Sequence, residues 1–150
     1  MAVLQHIREL FRVSQKHFQR VEARTGISGA QLWALVELDV QPGASITQLA
    51  ATLSVHLSTA SNLLERLEGR GLIRRERGTQ DQRVVRVYIT PAGRKVLKAA
   101  PKPAEGIIPD ALHRMPREAL GRLDRDLEKL LRLAKVRDRR AAMLPMSDPR

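Results

Sequence analysis

The chain has 150 residues, 27 Lys and Arg against 16 Asp and Glu, a formal net charge of +11 and 43% hydrophobic residues. That is room for one domain whose basic balance calls for a polyanionic partner. The absence of cysteine excludes disulfides, thiolate metal sites, a cysteine nucleophile and thiol redox switching, and fits a reducing cytoplasm. No apolar run approaches the ~20 residues of a membrane span, and Arg8, Glu9 and Arg12 interrupt any signal-peptide core.

In chain order, Leu4, Ile7, Phe11, Ser14, Phe18 and Val21 recur at helical spacing and predict an amphipathic helix over 3–24, ended by Thr25-Gly26. Ser28 with Gln31 is a capping-box pattern opening a helix over 29–39, which carries Leu32, Trp33, Leu35, Val36 and Leu38. Gln41 to Ala44 reads as a loop. Ser45 with Gln48 repeats the capping pattern for a short helix through Leu53. A helix over 57–70 follows, with Leu57, Ala60, Leu63, Leu64 and Leu67 on the side meant for the core. Ser58, Asn62, Glu65 and Arg66 lie on the other, with Thr59 and Ser61 at its margins.

The period then changes to two. Val85, Val87 and Ile89 alternate with Val84, Arg86 and Tyr88, and Leu72 to Glu76 pairs with them as an antiparallel hairpin joined by the polar connection 77–82. Thr90-Pro91 reads as an N-cap followed by proline at the first helical position. Pro101, Pro103, Gly106 and Pro109 require a kink or break near 101–109, because an interior proline costs roughly 3 kcal/mol. Pro116 opens a long helix with a seam of Leu120, Leu123, Leu127, Leu130 or Leu131, and Ala134. Glu118–Arg122 and Glu128–Arg132 stand at the favourable i,i+4 spacing on it. Residues 136–150 read as a tail, docked or free. No internal repeat is visible.

The basic excess is concentrated. Residues 71–100 carry +6, and the hairpin alone, with Arg74, Arg75, Arg77, Arg83 and Arg86 against Glu76 and Asp81, carries +3. Short helix, tight turn, polar-faced helix and basic hairpin, in that order, are what a winged helix-turn-helix requires. A helix in the major groove offers small or hydrogen-bonding side chains to base edges, and a basic hairpin tracks phosphates or enters the minor groove.

From Ser45 to Leu97 the residues resemble the MarR family of bacterial transcriptional regulators. The resemblance is carried by Ile46-Thr47-Gln48-Leu49-Ala50, the run from Ser58 to Glu68, Arg70-Gly71-Leu72-Ile73-Arg74-Arg75, Asp81-Gln82-Arg83 and Val87 to Arg94. It implies a mainly α fold with a small β-hairpin: a winged helix-turn-helix lobe over 26–94, dimerisation helices at 3–24 and 95–135, and a tail over 136–150, in one domain spanning 1–150. It also implies a homodimer on an inverted-repeat operator in double-stranded DNA, acting as a repressor. The expected DNA-binding residues are His56, Ser58, Thr59, Ser61, Asn62, Arg66, Arg74, Arg75, Arg77, Asp81, Arg83 and Arg86. Arg83 resembles the family's wing arginine. Asp81 resembles its partner, bracing the loop by an ion pair, or is a simple turn former. Two-fold pairing also follows from the uncovered leucine and phenylalanine seams, unless the two terminal helices pack on each other within one chain.

Two positions depart from the family pattern. Ser54 stands where glycine is common, which strains the chain if that residue is left-handed. His56 stands at the helix start in place of a better capping residue, and is free to donate to a phosphate instead.

Many relatives release DNA on binding small aromatic or anionic compounds. Here Phe11, His17, Phe18 and Trp33, with Arg12 or Arg20 as the anion partner, are candidates for such a pocket, although the aromatic residues also fall on ordinary core positions. His6, His17, His56 and His113 lack metal-ligand spacing, so no metal or cofactor is expected. With no nucleophile–base signature, phosphate loop or paired carboxylates, the sequence reads as no enzyme. A nonspecific basic nucleoid protein would share the charge, and a winged-helix protein-interaction module would share the fold. The neutral, polar-faced helix favours base reading over both.

Overall fold

In a computed structural model of the chain, residues 1–78, 81, 83–135 and 138–147 are described. Thr79, Gln80 and Gln82 of the expected hairpin connection, and 136, 137 and 148–150 of the expected tail, lie outside them.

The local signals work as local signals should. Helix α1 (Ala2–Thr25) ends at Gly26, which turns left-handed at φ 70° and returns its amide to Glu22. Helices α2 (Gly29–Val40) and α3 (Ile46–Thr52) both open with complete capping boxes, Ser28 with Gln31 and Ser45 with Gln48. Helix α4 (Leu57–Gly69) runs into a left-handed Gly71 at φ 69°. Strands β2 (Ile73–Arg77) and β3 (Val85–Ile89) pair antiparallel with Ile73 opposite Ile89 and Arg77 opposite Val85. Helix α5 (Pro91–Ala99) begins where Thr90 accepts the Gly93 amide.

Elsewhere the structure corrects the sequence reading. Ala44, the end of the expected loop, and Ser45, the expected helix cap, form a strand (β1, Ala44–Ser45) pairing with Val87 and Arg86, so the hairpin is two-thirds of a three-stranded sheet ordered β1-β3-β2. Two residues are too few to show a period. The proline-rich break covers 100–106 instead of 101–109: helix α6 (Ile107–Arg114) absorbs Pro109 in its first turn, where no intrahelical amide bond is lost. Pro116 is the cap of helix α7 (Arg117–Leu133) and not its first residue. Of the two readings of the tail, the described residues 138–147 follow the docked one: a 3₁₀ turn at Ala141–Met143 accompanies contacts back to the starts of α2 and α4.

The core is the lobe. Leu32, Leu35 and Leu38 of α2, Leu49 of α3, Ala60, Leu64 and Leu67 of α4 and Val87 of β3 are buried together, with Val21 of α1 reaching in. Leu57 does not join them. It is 55% exposed at the start of α4, where it faces an open groove with Val84 and Val85 instead of the core. The terminal helices do not cover each other within the chain: Ile7, Leu10 and Phe11 of α1 and Leu127, Leu130 and Leu131 of α7 stay exposed. Among the described residues, no helix is long and apolar enough to cross a membrane.

Candidate nucleic-acid interface

Helix α4 turns its apolar stripe inward, which leaves Ser58, Asn62, Glu65 and Arg66 exposed and Thr59 and Ser61 half-buried at the edges. Those are short hydroxyl and amide groups and one arginine, a set suited to base edges. His56 caps the helix by its backbone alone. Its side chain makes no capping bond and is exposed. Ser54, between α3 and α4, has φ 53°. The strain expected for a non-glycine residue there is present, and costs of order 1–2 kcal/mol.

The wing sorts its arginines. Arg74 lies over the Tyr88 ring at 4.6 Å and pairs with Glu76. Arg75 is held 3.2 Å from the Glu68 carboxylate on α4. Arg86 donates to the Gly43 carbonyl at 3.2 Å. Arg75 and Arg86 tie the sheet to its neighbours, and Arg74 makes its contacts within the sheet. Arg77 and Arg83 are exposed and have no acidic partner among the described residues. Asp81 braces the wing as a turn residue does: its Oδ1 accepts the Arg83 backbone amide at 2.9 Å, where an ion pair to the guanidinium was one expectation.

Arg83 reaches the α4 side of the lobe. With Ser61, Leu57, Val84, Ser45 and Thr47 it lines an open groove of about 480 Å³ between the wing root and the starts of α3 and α4. Leu57 and Thr47 were missed as candidate interface residues. An exposed leucine on a helix that otherwise buries its leucines is the signal, and it is visible only once burial is known. An apolar side chain at that place suits a thymine methyl group.

The expected ligand residues separate. Phe18 and Trp33 line an apolar cavity of about 340 Å³ between α1, α2 and α6, which also takes in Leu53, Leu63, Ile108 and Leu112. Phe11 points to solvent, 63% exposed. Arg12 and Arg20 are exposed on α1 and do not line the cavity, whose titratable lining residues are Glu105 and His113. The physical reason is helical phase: on α1 the buried side runs through Ser14, His17 and Val21, and both arginines lie off it.

His17 is buried, bonds the Pro103 backbone and leaves Nε2 without a partner among the described residues. Proline has no N–H, so the imidazole donates to its carbonyl. Burial pushes the pKa below the ordinary 6.5; the Pro103 bond opposes that, and the charge of Arg20 adds to it. As pH falls below 6.5 the unfolded chain takes up the proton first. The His17 contribution to stability is therefore complete above pH 6.5 and declines below it. Unfolding free energy measured by urea melts from about pH 5 to pH 8 should show this fall. His17→Phe should flatten it, whatever the variant's absolute stability. A slope equally steep in the variant would assign the effect to another group.

Residues 27–85 match the MarR family model. The HTH-type transcriptional repressor MdtR of Bacillus subtilis is 28% identical over 87 residues, covering 58% of this chain and 56% of the relative, so the match spans little more than half of that protein. Among solved structures, the transcriptional regulator BldR of Sulfolobus solfataricus aligns at 27% identity with a TM-score of 0.59 over 90% of this chain and 94% of its own. The MepR–DNA complex of S. aureus aligns at 25% identity with a TM-score of 0.61, over 89% and 96%.

Proposed function

We propose that this chain, whose residues 27–85 match the MarR family model, is a member of that family and a sequence-specific DNA-binding transcriptional regulator, a cytoplasmic homodimer on an inverted-repeat operator and no enzyme. The observation that carries this reading is the exposed face of α4, Ser58, Asn62 and Arg66, standing beside a groove that brings in the wing arginine Arg83, which has no acidic partner among the described residues. In the reading, α4 enters the major groove, Arg83 and Arg77 reach the minor groove or its phosphates, and the tied arginines Arg74, Arg75 and Arg86 hold the wing rigid. The uncovered seams of α1 and α7 belong to the two-fold interface. This makes 1–150 one domain, with a DNA-binding lobe over 26–94 flanked by pairing helices.

Repression is supported by the name of MdtR, a repressor, and DNA binding by the MepR complex. Release by a small ligand is supported by the apolar cavity between lobe and outer helices, lined by Phe18 and Trp33. With no Lys or Arg in its lining among the described residues, and Glu105 beside His113, the cavity favours an aromatic compound over a simple anion.

Selection from a random double-stranded DNA pool tests the reading. Enrichment of an inverted repeat with half-sites about one helical turn, ~34 Å, apart is expected. Asn62→Ala should then relax preference at particular base pairs by about 1–3 kcal/mol per pair while nonspecific binding is kept. Binding with steep salt dependence and no enriched site would favour a nonspecific nucleic-acid protein. No binding at all would favour a protein-interaction module.

A further inference from the structure

After α7 the chain returns to the lobe it came from. The amide of His56, at the start of α4, donates to the Met143 carbonyl at 3.3 Å. The amide of Ala30, in the first turn of α2, donates to Ser147 Oγ at 2.9 Å. Helix-start amides have no acceptor within their own helix, so the segment caps two helices of the DNA-binding lobe from outside it. Between these two attachments Leu144, Pro145 and Met146 line the same cavity as Phe18, Trp33 and Leu112. Its hold is slight: Leu144 is 45% and Met146 59% exposed.

We propose that residues 138–147 form a displaceable strap closing this cavity, which an apolar ligand enters by lifting the strap, freeing the amide at the start of α4. The inference rests on the ligand-released reading above and names how that site is regulated. Strap and ligand compete for one apolar space. The ligand therefore favours the strap-free state by its differential affinity, and the loss of the His56 and Ala30 caps carries that preference to the helix starts of the lobe. A segment with few buried contacts opens readily, and that suits a gate.

Trp33 is the only tryptophan in the chain and lines the cavity, so its fluorescence reports on the strap directly. In the full chain, Leu144→Asp combined with Met146→Asp drives the strap into water, and Ser147→Ala removes only its bond to Ala30. The probe is anilinonaphthalene sulfonate. Expected in the double variant are stronger acrylamide quenching of Trp33, probe binding tighter by about fivefold or more, and operator binding weaker by about fivefold. Ser147→Ala should shift all three the same way by less, which keeps the test alive if the double variant does not fold. Probe binding unchanged or weakened in both variants overturns the proposal, because residues 138–147 are then a fixed wall. Operator affinity unchanged while the probe tightens overturns the link to α4. If DNA selection yields no operator, the Trp33 and probe measurements still decide whether the strap moves.

Discussion

Arg83→Ala is expected to weaken binding of the proposed dimer to any double-stranded DNA by roughly 30- to 150-fold at about 0.15 M salt. Each protomer loses one contact worth of order 1–1.5 kcal/mol, and the dimer loses two. The slope of log affinity against log salt should fall by about 1.8, since each neutralised phosphate contributes about 0.9. Arg75→Ala is the control. Its Nε is buried 3.2 Å from the Glu68 carboxylate on α4, so its loss should loosen the wing but change the salt slope by much less than one. Fluorescence anisotropy of labelled DNA across a salt series separates the two. Equal slopes for the two variants would mean that the division into free and tied arginines does not govern DNA contact.

Gly93→Ala should be the most damaging single methyl group in the lobe. A Cβ on Gly93 would overlap the Leu72 carbonyl oxygen and lie 2.7 Å from Cγ1 of Ile89. That carbonyl accepts the Thr90 amide at 3.0 Å, and Thr90 Oγ1 in turn accepts the Gly93 amide at 3.1 Å. Backbone cannot rotate away as a side chain does, so α5 must move off the sheet and take the Thr90 cap with it. The expected cost is about 3 kcal/mol, from overpacking and a lost cap together, which for a chain of this size lowers Tm by roughly 6–12 °C. Gly69→Ala, the same substitution at the end of α4, meets nothing within 4 Å. It should be neutral or stabilising by up to about 1 kcal/mol. Calorimetry should show a lowered Tm for Gly93→Ala and an unchanged or raised one for Gly69→Ala if close backbone approach is the cause.

How far the sequence could be read depended on the range of the interaction. The capping boxes at Ser28 and Ser45, the Thr90-Pro91 start, the i,i+4 pairs on α7 and the two-residue period of β3 are decided within four residues, and all appear in the structure. Strand β1 was not legible, because two residues acquire strand geometry only by pairing with Val87 and Arg86 some forty positions away. Leu57 satisfied the helical phase of the core yet stays in solvent, since phase says which side a residue takes and not how far the core extends along the helix. The five wing arginines looked equivalent as charges. Only the positions of Glu68, Tyr88 and the Gly43 carbonyl distinguish those that hold the fold from those left for a partner.

By itself, then, the sequence determined the order and type of the long elements, the hairpin, the family resemblance and the polar face of α4, because each follows from local spacing and a contiguous motif. The tertiary structure alone decided which wing arginines lack an acidic partner among the described residues, that Phe18 and Trp33 share a cavity while Phe11, Arg12 and Arg20 face solvent, and that Ala142 and Leu144 to Ser147 line that cavity from the far end of the chain. Those are contacts between residues remote in sequence. Their partners are chosen by where the helices come to lie, which no local pattern encodes.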